Sequence, residues 1–496
     1  MANSYPVPEL DGLAEALARG DGPLAVGGIV PGARSLVLAA LESARWPAGR
    51  ALVVVPRLSE SEDLAAGLRL LVPELRVGVV PAEVAAPYQG NEPPLAARLE
   101  LVRLLQQISE DRVDLIVTPA RALTMPIPDP HSVARQSVEL ERGESVDTGE
   151  LAGRLVAAGY RRVDVVEEAG DFAIRGWVVD IHAGGGGGTR IELDDDVIVS
   201  IRDFDPESQR SRSDAYERAT APPLAPFPAE QERLDRVASW LSEDFPSLAP
   251  QVSDGVDRRL WWGALHVADP WLTWMNLGDS LVVCDRDEVL GELGRWWKVQ
   301  EREWRTLSDR TLELPPPERL LADRENIRER LLAPDLRVEQ LELADGVTHW
   351  WRLTTHPTER FARAIPDLVP TLRHRRALDH AQVLVVGSTG EEKRFRHLLT
   401  EGDVVPVQAP PEPGDVAIVI GDLRHGFVWE GRLAVYGRRD LTAAPLQRRK
   451  AGGAAFMSDL RDLRPGDLVV HMDHGIGRFT GFRRVSVEAR DHEMMV

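Results

Sequence analysis

A pair of glycines near the N-terminus has the spacing of a phosphate-binding loop. Gly27 and Gly32 are separated by four residues, between a short apolar run and a stretch with helical periodicity. A GxxxxGK[ST] loop in that setting binds a nucleotide, because its amides and lysine face the phosphates and its hydroxyl holds magnesium. Here Ala33 stands at the lysine position and Arg34 at the hydroxyl position. The sequence therefore predicts a degenerate phosphate loop that does not hydrolyse ATP.

Other residues that could bind a metal ion have ordinary explanations. Asp285 ends an apolar run, as a magnesium-organising carboxylate does, but without the lysine and hydroxyl it is an ordinary strand-terminal acid. His471 and His474 flank Asp473, yet the glycine-rich turn around them favours structural histidines. The single cysteine, Cys284, excludes an intramolecular disulfide and a multi-cysteine zinc site. The sequence shows no clear nucleophile set either, so we predict no metal site and no catalytic residues.

Two arginines lie in strand-like segments and could act together. Arg175 belongs to FAIRG and Arg190 opens TRIEL. Because side chains alternate along a strand, both guanidinium groups could lie on one edge or face of a sheet. Exposed arginines are often only solvated charge, whereas a pair also suits recognition of a partner's carboxylates. The residues alone leave both interpretations open.

The composition indicates a multidomain globular protein. The chain has 496 residues, 43% of them hydrophobic, which suggests about three to four domains. With 59 Lys and Arg against 79 Asp and Glu, the net charge is -20, and this charge disfavours broad, nonspecific nucleic-acid binding. The sequence has no charged-then-apolar leader and no apolar run of about 18 residues. We therefore expect a soluble cytoplasmic protein without membrane contact.

The pattern of apolar runs predicts an α/β multidomain fold. Residues 24–119 alternate apolar strands with amphipathic helices, as a parallel sheet covered on both faces does. Residues 159–205 show strand alternation, residues 231–305 are helix-rich with eight of the thirteen tryptophans, and a second α/β rhythm follows residue 317. We predict that the tryptophans mainly fill a core. The second rhythm indicates either a small second parallel sheet or completion of the first.

These segments define the predicted domains. We expect a parallel-sheet, helicase-like domain without a working phosphate loop, an inserted antiparallel β domain, a second small α/β domain and a truncated small β-barrel at the C-terminus. The boundaries are residues 1–125 for the first α/β domain, 126–220 for the β domain, 221–345 for a linker and tryptophan-rich helical part, 346–455 for the small α/β domain, and 456–496 for the start of the barrel. The apolar ending MMV suggests a fragment of a longer protein.

Three segments resemble one family. The β domain shared by the excinuclease protein UvrB and the bacterial transcription-repair coupling factors (Mfd) is similar to GDFAIRGWVVDIH followed by TRIELDDDVIVSIRDFDPESQRS. The coupling factors alone are similar to DLRHGFVWEGRLAVYGRRDL followed by LRPGDLVVHMDHGIGRFTGF. The order of segments and the degenerate phosphate loop also fit the coupling factors, whereas UvrB binds ATP. The resemblance covers nearly the whole chain.

The resemblance implies partners and site residues. The family's β domain recruits the excinuclease protein UvrA, and its motif arginines for that contact correspond to Arg175 and Arg190. Asp194 stands where the family often has an aromatic residue. The barrel segment, between Leu463 and Val496, would contact the β chain of RNA polymerase. ATP, magnesium and DNA would be handled by a motor that we expect to lie beyond Val496, which leaves this chain without a cofactor.

The resemblance favours a noncatalytic module of transcription-coupled DNA repair that recruits UvrA to stalled RNA polymerase. One alternative is an ATP-dependent DNA-remodelling enzyme of the UvrB type with a nonstandard phosphate loop. A second is a stand-alone transcription regulator that binds polymerase through the terminal barrel.

Overall fold

The computed structural model describes most of the chain. The described residues are 7–43, 49–81, 87–88, 93–184, 187–228, 231–246, 262–308, 314–341, 346–361 and 367–441, together with four strands between 468 and 495. Two compact units are present, Met1–Ala443 and Ala444–Val496. Across the described parts, no helix has both the length and the apolar content needed to cross a membrane.

The first unit begins with alternating helices and strands, as the apolar runs predict. The elements are α1 Leu13–Arg19, β1 Leu24–Gly27, α2 Arg34–Ser43, β2 Ala51–Val55, α3 Leu58–Leu71, β3 Val77–Val79, α4 Leu95–Ser109, β4 Leu115–Pro119, β5 Ile127–Pro128 and α5 Pro130–Arg135. All residues of β1, β2 and β4 are buried. Strands that are apolar on both sides require cover on both faces of the sheet, and helices supply it here.

A β-rich segment follows. Its elements are β6 Val138–Glu141, α6 Thr148–Ala157, β7 Arg161–Arg162, β8 Asp171–Arg175, β9 Val178–Ile181, β10 Gly188–Asp194, β11 Val197–Asp205, β12 Arg210–Ala215 and β13 Arg218–Ala221. Strands β7 to β12 form a six-stranded sheet in sequence order. Its pairs are antiparallel apart from the short β7–β8 pair. The predicted antiparallel β structure is confirmed.

The chain then returns to the first sheet. The next elements are α7 Gln231–Asp244, β14 Trp271–Leu272, β15 Ser280–Cys284, α8 Arg286–Ser308, α9 Pro317–Leu320, α10 Arg324–Leu332, β16 Leu336–Val338 and β17 His349–Arg352. The main sheet has seven strands in the order β17-β1-β16-β15-β2-β4-β3. Every pair in it is parallel, which confirms the predicted parallel sheet. The six-stranded β sheet is therefore inserted between two parts of one parallel sheet.

The tryptophans of this return segment divide between core and surface. Trp274 is fully buried and Trp297 is 4% exposed, whereas Trp271 is 37% exposed. Trp261 lies outside the described residues. Core filling thus explains some of these tryptophans, as expected from their mass and apolar area.

A separate five-stranded sheet completes the first unit. Its elements are β18 Thr355–Pro357, α11 Leu368–Ala377, β19 Ala381–Val386, α12 Thr389–Glu401, β20 Val416–Ile420, β21 Phe427–Trp429, β22 Leu433–Tyr436 and α13 Arg438–Leu441. The order is β18-β21-β22-β19-β20, with parallel and antiparallel pairs. Of the two predicted alternatives, a second sheet is right, but it is mixed. The apolar run at 404–407 forms only one bridge, at Val407, since Pro406 has no amide to donate.

The second unit contains two antiparallel strand pairs among its described residues. Strand β23 Leu468–His471 pairs with β24 Gly475–Arg478, and β25 Phe482–Val487 pairs with β26 Arg490–Met495. Predicted β structure is present, but no closed barrel is seen in these four strands. Asp473 and His474 lie outside the described residues, so the structural role of the two histidines stays a prediction.

Candidate functional site

The degenerate phosphate loop has the expected strand, loop and helix. Strand β1 ends at Gly27, a 3-10 turn covers Pro31–Ala33, and α2 begins at Arg34. Strand β15 lies two positions from β1 in the sheet and is followed directly by Asp285. The backbone thus resembles a nucleotide site, and its chemistry depends on what the loop groups contact.

Three amides of the loop donate to the protein itself. The Ile29 amide donates to the Glu339 carbonyl at 3.0 Å, and the Val30 amide donates to Thr355 Oγ1 at 2.9 Å. The Ala33 amide donates to the Val30 carbonyl at 2.8 Å. In a working loop such amides point at phosphate oxygens. Here they are satisfied by the fold, so a phosphate would have to displace existing hydrogen bonds.

The two motif glycines are explained by close packing. A Cβ on Gly27 would lie 2.2 Å from Cζ2 of the Trp350 indole. A Cβ on Gly32 would lie 2.6 Å from the Gly426 carbonyl oxygen in the loop before β21. Both distances are shorter than any van der Waals contact, so a side chain at either position requires movement of its neighbour. The glycine spacing therefore has a steric reason that involves no phosphate.

Arg34 forms ion pairs in the buried region between the loop and β15. Its side chain is 1% exposed, its Nη1 donates to Glu60 Oε2 at 2.5 Å, and its Nη2 pairs with Asp285. Asp285 also accepts the Gln340 amide through Oδ1 at 2.7 Å. A working site has a hydroxyl at position 34 that shares magnesium with a strand-end carboxylate. Here the cation beside Asp285 is a guanidinium, which corrects the interpretation of Asp285 as an ordinary strand-terminal acid.

The charge state of this group follows from its surroundings. Burial acts to lower the pKa of Arg34, whereas Cys284, Asp285 and Glu60 act to raise it, and the net pKa lies above the ordinary value. Burial raises the pKa of Cys284 itself to about 12, so at neutral pH the thiol is uncharged and the two carboxylates provide the attraction. Arg34 therefore stays charged, and the group carries one positive and two negative charges.

The five-stranded module covers the loop. Its segment before β21 carries Arg424, which pairs with Glu62 of α3, and His425, whose Nδ1 lies 3.2 Å from Asp63 Oδ2. The buried Asp440 carboxylate accepts the amides of Gly426 and Gly437 at 2.7 and 2.8 Å and so holds this segment in place. Burial raises the pKa of Asp440 above its usual range. The loop is thus closed by the second sheet's module as well as by its own side chains.

The structure brings the two predicted arginines of the β sheet together on one acid. Asp180 on β9 is directly opposite Arg190 on β10 and Ala173 on β8. Arg190 is bidentate, with Nε to Oδ1 at 2.7 Å and Nη2 to Oδ2 at 2.9 Å, and Arg175 Nη2 reaches Oδ2 at 2.5 Å. This trio, Arg175, Arg190 and Asp180, is called the arginine cluster. Sequence reasoning missed Asp180, although it follows Val178 by two positions on β9, and that spacing puts both on the same face, the one that carries the arginines.

The two arginines differ in their burial and in the number of contacts that they make within the fold. Arg190 is 14% exposed, donates Nη1 to the Gln209 carbonyl at 3.0 Å, and stacks over Phe204 at 4.8 Å from the ring centroid. Its hydrogen bond to Asp180 is the largest cause of its raised pKa. Arg175 is 42% exposed, while Asp180 is fully buried. The cluster therefore turns positive charge outward.

The third predicted position lies at the end of the same sheet. Asp194 is exposed at the C-terminus of β10 and pairs with Val197 across a tight turn. Within the described part of the chain, no hydrogen bond or ion pair joins it to the arginine cluster. Trp177, in the turn between β8 and β9, is 60% exposed and was not singled out from the sequence. An aromatic residue after glycine in a two-residue turn is the signal that could have identified it.

Comparison with known proteins gives consistent matches. Residues 138–225 match the family described as UvrB interaction domain, and residues 463–496 match the CarD-like/TRCF RID domain. Arg175, Arg190 and Asp194 lie inside the first match. Proteins named transcription-repair-coupling factor are similar along most of the chain: that of Myxococcus xanthus is 28% identical over 95% of this chain and 43% of its own length. Those of Mycobacterium tuberculosis and Escherichia coli K12 are 27% and 25% identical over 94% and 92% of this chain.

The matched regions of these relatives define how far the similarity extends. The chain spans 41% of the Mycobacterium tuberculosis protein and 42% of the Escherichia coli protein, so it corresponds to about two fifths of the curated relatives it matches. Both the β-sheet match and the C-terminal match agree with the family indicated by the sequence motifs. The chain is therefore similar, along most of its length, to the bacterial transcription-repair coupling factors.

Proposed function

We propose that this chain is a noncatalytic module of transcription-coupled DNA repair that recruits UvrA to stalled RNA polymerase. The observation that carries the proposal is the arginine cluster inside the segment that matches the UvrB interaction domain. An outward guanidinium that is held by a buried acid is positioned before a partner arrives. Such an arginine can bind a partner's carboxylate with little loss of side-chain entropy.

The closed phosphate loop supports a noncatalytic role. The amides of Ile29, Val30 and Ala33 are occupied, Arg34 pairs with Asp285, and Gly32 packs against a backbone carbonyl. We propose that nucleotide chemistry in the whole protein, which would be an ATP-driven translocase acting on DNA, belongs to the part of the relatives that this chain does not match. We also propose that residues 463–496 contribute to a contact with the β chain of RNA polymerase.

Binding to purified UvrA tests the recruitment proposal. Arg175→Ala should weaken the complex roughly fivefold or more, about 1 kcal/mol, if the guanidinium meets a desolvated carboxylate. The matched control is Arg218→Ala, because Arg218 also pairs with an acid of the same segment, Glu141, but lies on the separate β13–β6 pair. An unchanged dissociation constant for Arg175→Ala and Arg190→Ala, by calorimetry or interferometry, would remove this site.

A nucleotide titration separates the proposal from an ATP-dependent UvrB-type enzyme. We expect magnesium and ATP to leave the thermal unfolding midpoint unchanged, because a ligand that does not bind the folded state cannot stabilise it. Micromolar affinity that disappears in Asp285→Ala would instead support the enzyme. The polymerase contact is tested by pull-down with the polymerase β chain, using a protein that lacks residues 463–496 as the control.

A further inference from the structure

One end of the six-stranded sheet exposes large apolar side chains. Trp177 occupies the second position of the two-residue turn between β8 and β9 and is 60% exposed. Val197 and Val199 of β11 are 36% and 42% exposed. These three residues are called the hairpin-end patch. A single exposed valine is ordinary, but a tryptophan that leaves most of its surface in water, with other apolar residues at the same sheet end, is typical of an interaction surface.

Backbone pairing fixes the hairpin-end patch beside the arginine cluster. Arg175 is the last paired residue of β8 and precedes Trp177 by two positions. The Leu193 amide donates to the Trp177 carbonyl at 2.8 Å, so the turn lies against the C-terminal end of β10. The next residue of β10, Asp194, pairs with Val197. Trp177, Val197 and the outward guanidinium of Arg175 therefore share one end of the sheet.

A β-bulge at this end explains the exposure of Val199. Glu192 pairs with Ser200, whereas Leu193 pairs with Ile198. Val199 is the extra residue between these pairs, and a bulge of this kind redirects its side chain. Because Ile198 is 1% exposed and Val199 is 42% exposed, the bulge keeps the core strand buried while it presents Val199 to solvent.

We infer that Trp177 is the apolar anchor of the UvrA contact, with the partner placing an apolar side chain on the hairpin-end patch and a carboxylate on Arg175. This inference rests on the proposed function. Tryptophan adds a large, rigid contact area, and tryptophan and arginine are the residue types that dominate interface energetics. The exposed acid Asp194 disfavours a second partner carboxylate at the same end, so the partner's acid is directed to Arg175.

Salt dependence separates the two parts of the contact. Trp177→Ala should raise the dissociation constant for purified UvrA about tenfold, by the same factor at low and high salt, because apolar burial is not screened. Arg175→Ala should both weaken binding and reduce its dependence on salt. Trp177→Phe should keep most of the affinity, since the aromatic ring remains.

Two further variants control for folding and for position. Trp271→Ala removes another exposed tryptophan, on β14, and should leave UvrA affinity unchanged. Asp194→Phe in the Trp177→Ala background should recover part of the lost affinity, because residue 194 lies next to the turn and would return an aromatic ring to this end of the sheet. Thermal unfolding of Trp177→Ala should match the unsubstituted chain, since most of the side chain is exposed.

The outcomes are distinguishable from failure of the proposed function. If Arg175→Ala weakens binding while Trp177→Ala binds UvrA with the affinity of the unsubstituted chain, the anchor assignment is wrong and the recruitment proposal stands. If the unsubstituted chain does not bind UvrA, the recruitment proposal fails and the anchor fails with it. A weakening by Trp177→Ala that vanishes at high salt would also overturn the anchor, because it would mark an electrostatic effect.

Discussion

The closed phosphate loop and the arginine cluster are built from the same ion-pair chemistry with opposite polarity. At the loop, one buried cation, Arg34 at 1% exposure, is shared by two acids at 11% and 14% exposure. In the cluster, one fully buried acid, Asp180, is shared by two arginines at 42% and 14% exposure. At the loop the buried ion is a cation held by acids, whereas in the cluster it is an acid held by arginines, and the side chain of Arg175 remains 42% exposed.

The exposure of the arginines indicates that the cluster, and not the loop, can bind a partner. Arg34 is paired with two acids and so offers no free cation to a phosphate, and the amides of Ile29, Val30 and Ala33 already donate within the protein. The guanidinium groups held by the buried Asp180 attract carboxylates, and the side chain of Arg175 is 42% exposed. Burial of the shared ion gives rigidity in both cases. The exposed guanidinium of Arg175 makes the cluster available for binding, whereas the buried Arg34 serves stability.

Arg34→Ala should have the largest effect on stability. It removes the buried cation that Glu60 and Asp285 share and leaves Arg57, on the exposed side, as the remaining partner of Glu60, which should cost about 3 to 5 kcal/mol of unfolding free energy. Denaturant unfolding monitored by circular dichroism measures this. The matched control is Arg57→Ala, which also removes a partner of Glu60 but one that is 52% exposed, and should cost less than about 1 kcal/mol. An equal loss of unfolding free energy in the two variants would contradict the conclusion that the buried ion pairs of Arg34 stabilise the fold.

Gly32→Ala should have the second-largest effect on stability. The added Cβ would meet the Gly426 carbonyl at 2.6 Å, and backbone of one module would have to move away from the other, at about 1 to 3 kcal/mol. Gly153→Ala is the control, because no atom lies within 4 Å of the Cβ it would add in α6. A stable Gly32→Ala chain would show that the second module does not close over the loop.

Arg190→Ala should destabilise the chain by about 1 to 3 kcal/mol, because the buried acid Asp180 loses two of its hydrogen bonds. Thermal and denaturant unfolding of this variant should therefore differ from those of the unsubstituted chain. If Asp180→Asn in the Arg190→Ala background does not recover stability, the cost lies in lost packing against Phe204 instead of in the uncompensated acid.

Arg175→Ala should have the smallest effect on folding and still affect binding. Its side chain is 42% exposed and Asp180 keeps Arg190, so the unfolding free energy should change by less than about 1 kcal/mol. This variant separates recruitment from stability. A loss of stability as large as that of Arg190→Ala would mean that the two arginines serve the fold equally, which would remove the basis for assigning binding to Arg175.

Local pattern predicted much of the fold and part of each site. Buried parallel strands such as β2 and β4 are continuous apolar runs, so their place in a covered sheet is readable from sequence. The missing lysine at Ala33 was equally visible. The partners Asp180 and Glu60 could not be identified from the sequence. Asp180 meets Arg190 through the register of two strands, and Glu60 meets Arg34 through helix packing across 26 positions.

Residue types and short spacings were enough to predict the secondary-structure periodicity, the loss of the phosphate ligands and the two arginine-bearing strands. Three contacts could be seen only in the folded chain: Arg34 reaches Asp285 across 251 positions, Gly32 packs against Gly426, and Trp177 meets the end of β10. The physical reason is that ion pairing, close packing and exposure depend on distances between segments, and only the assembled sheets set those distances.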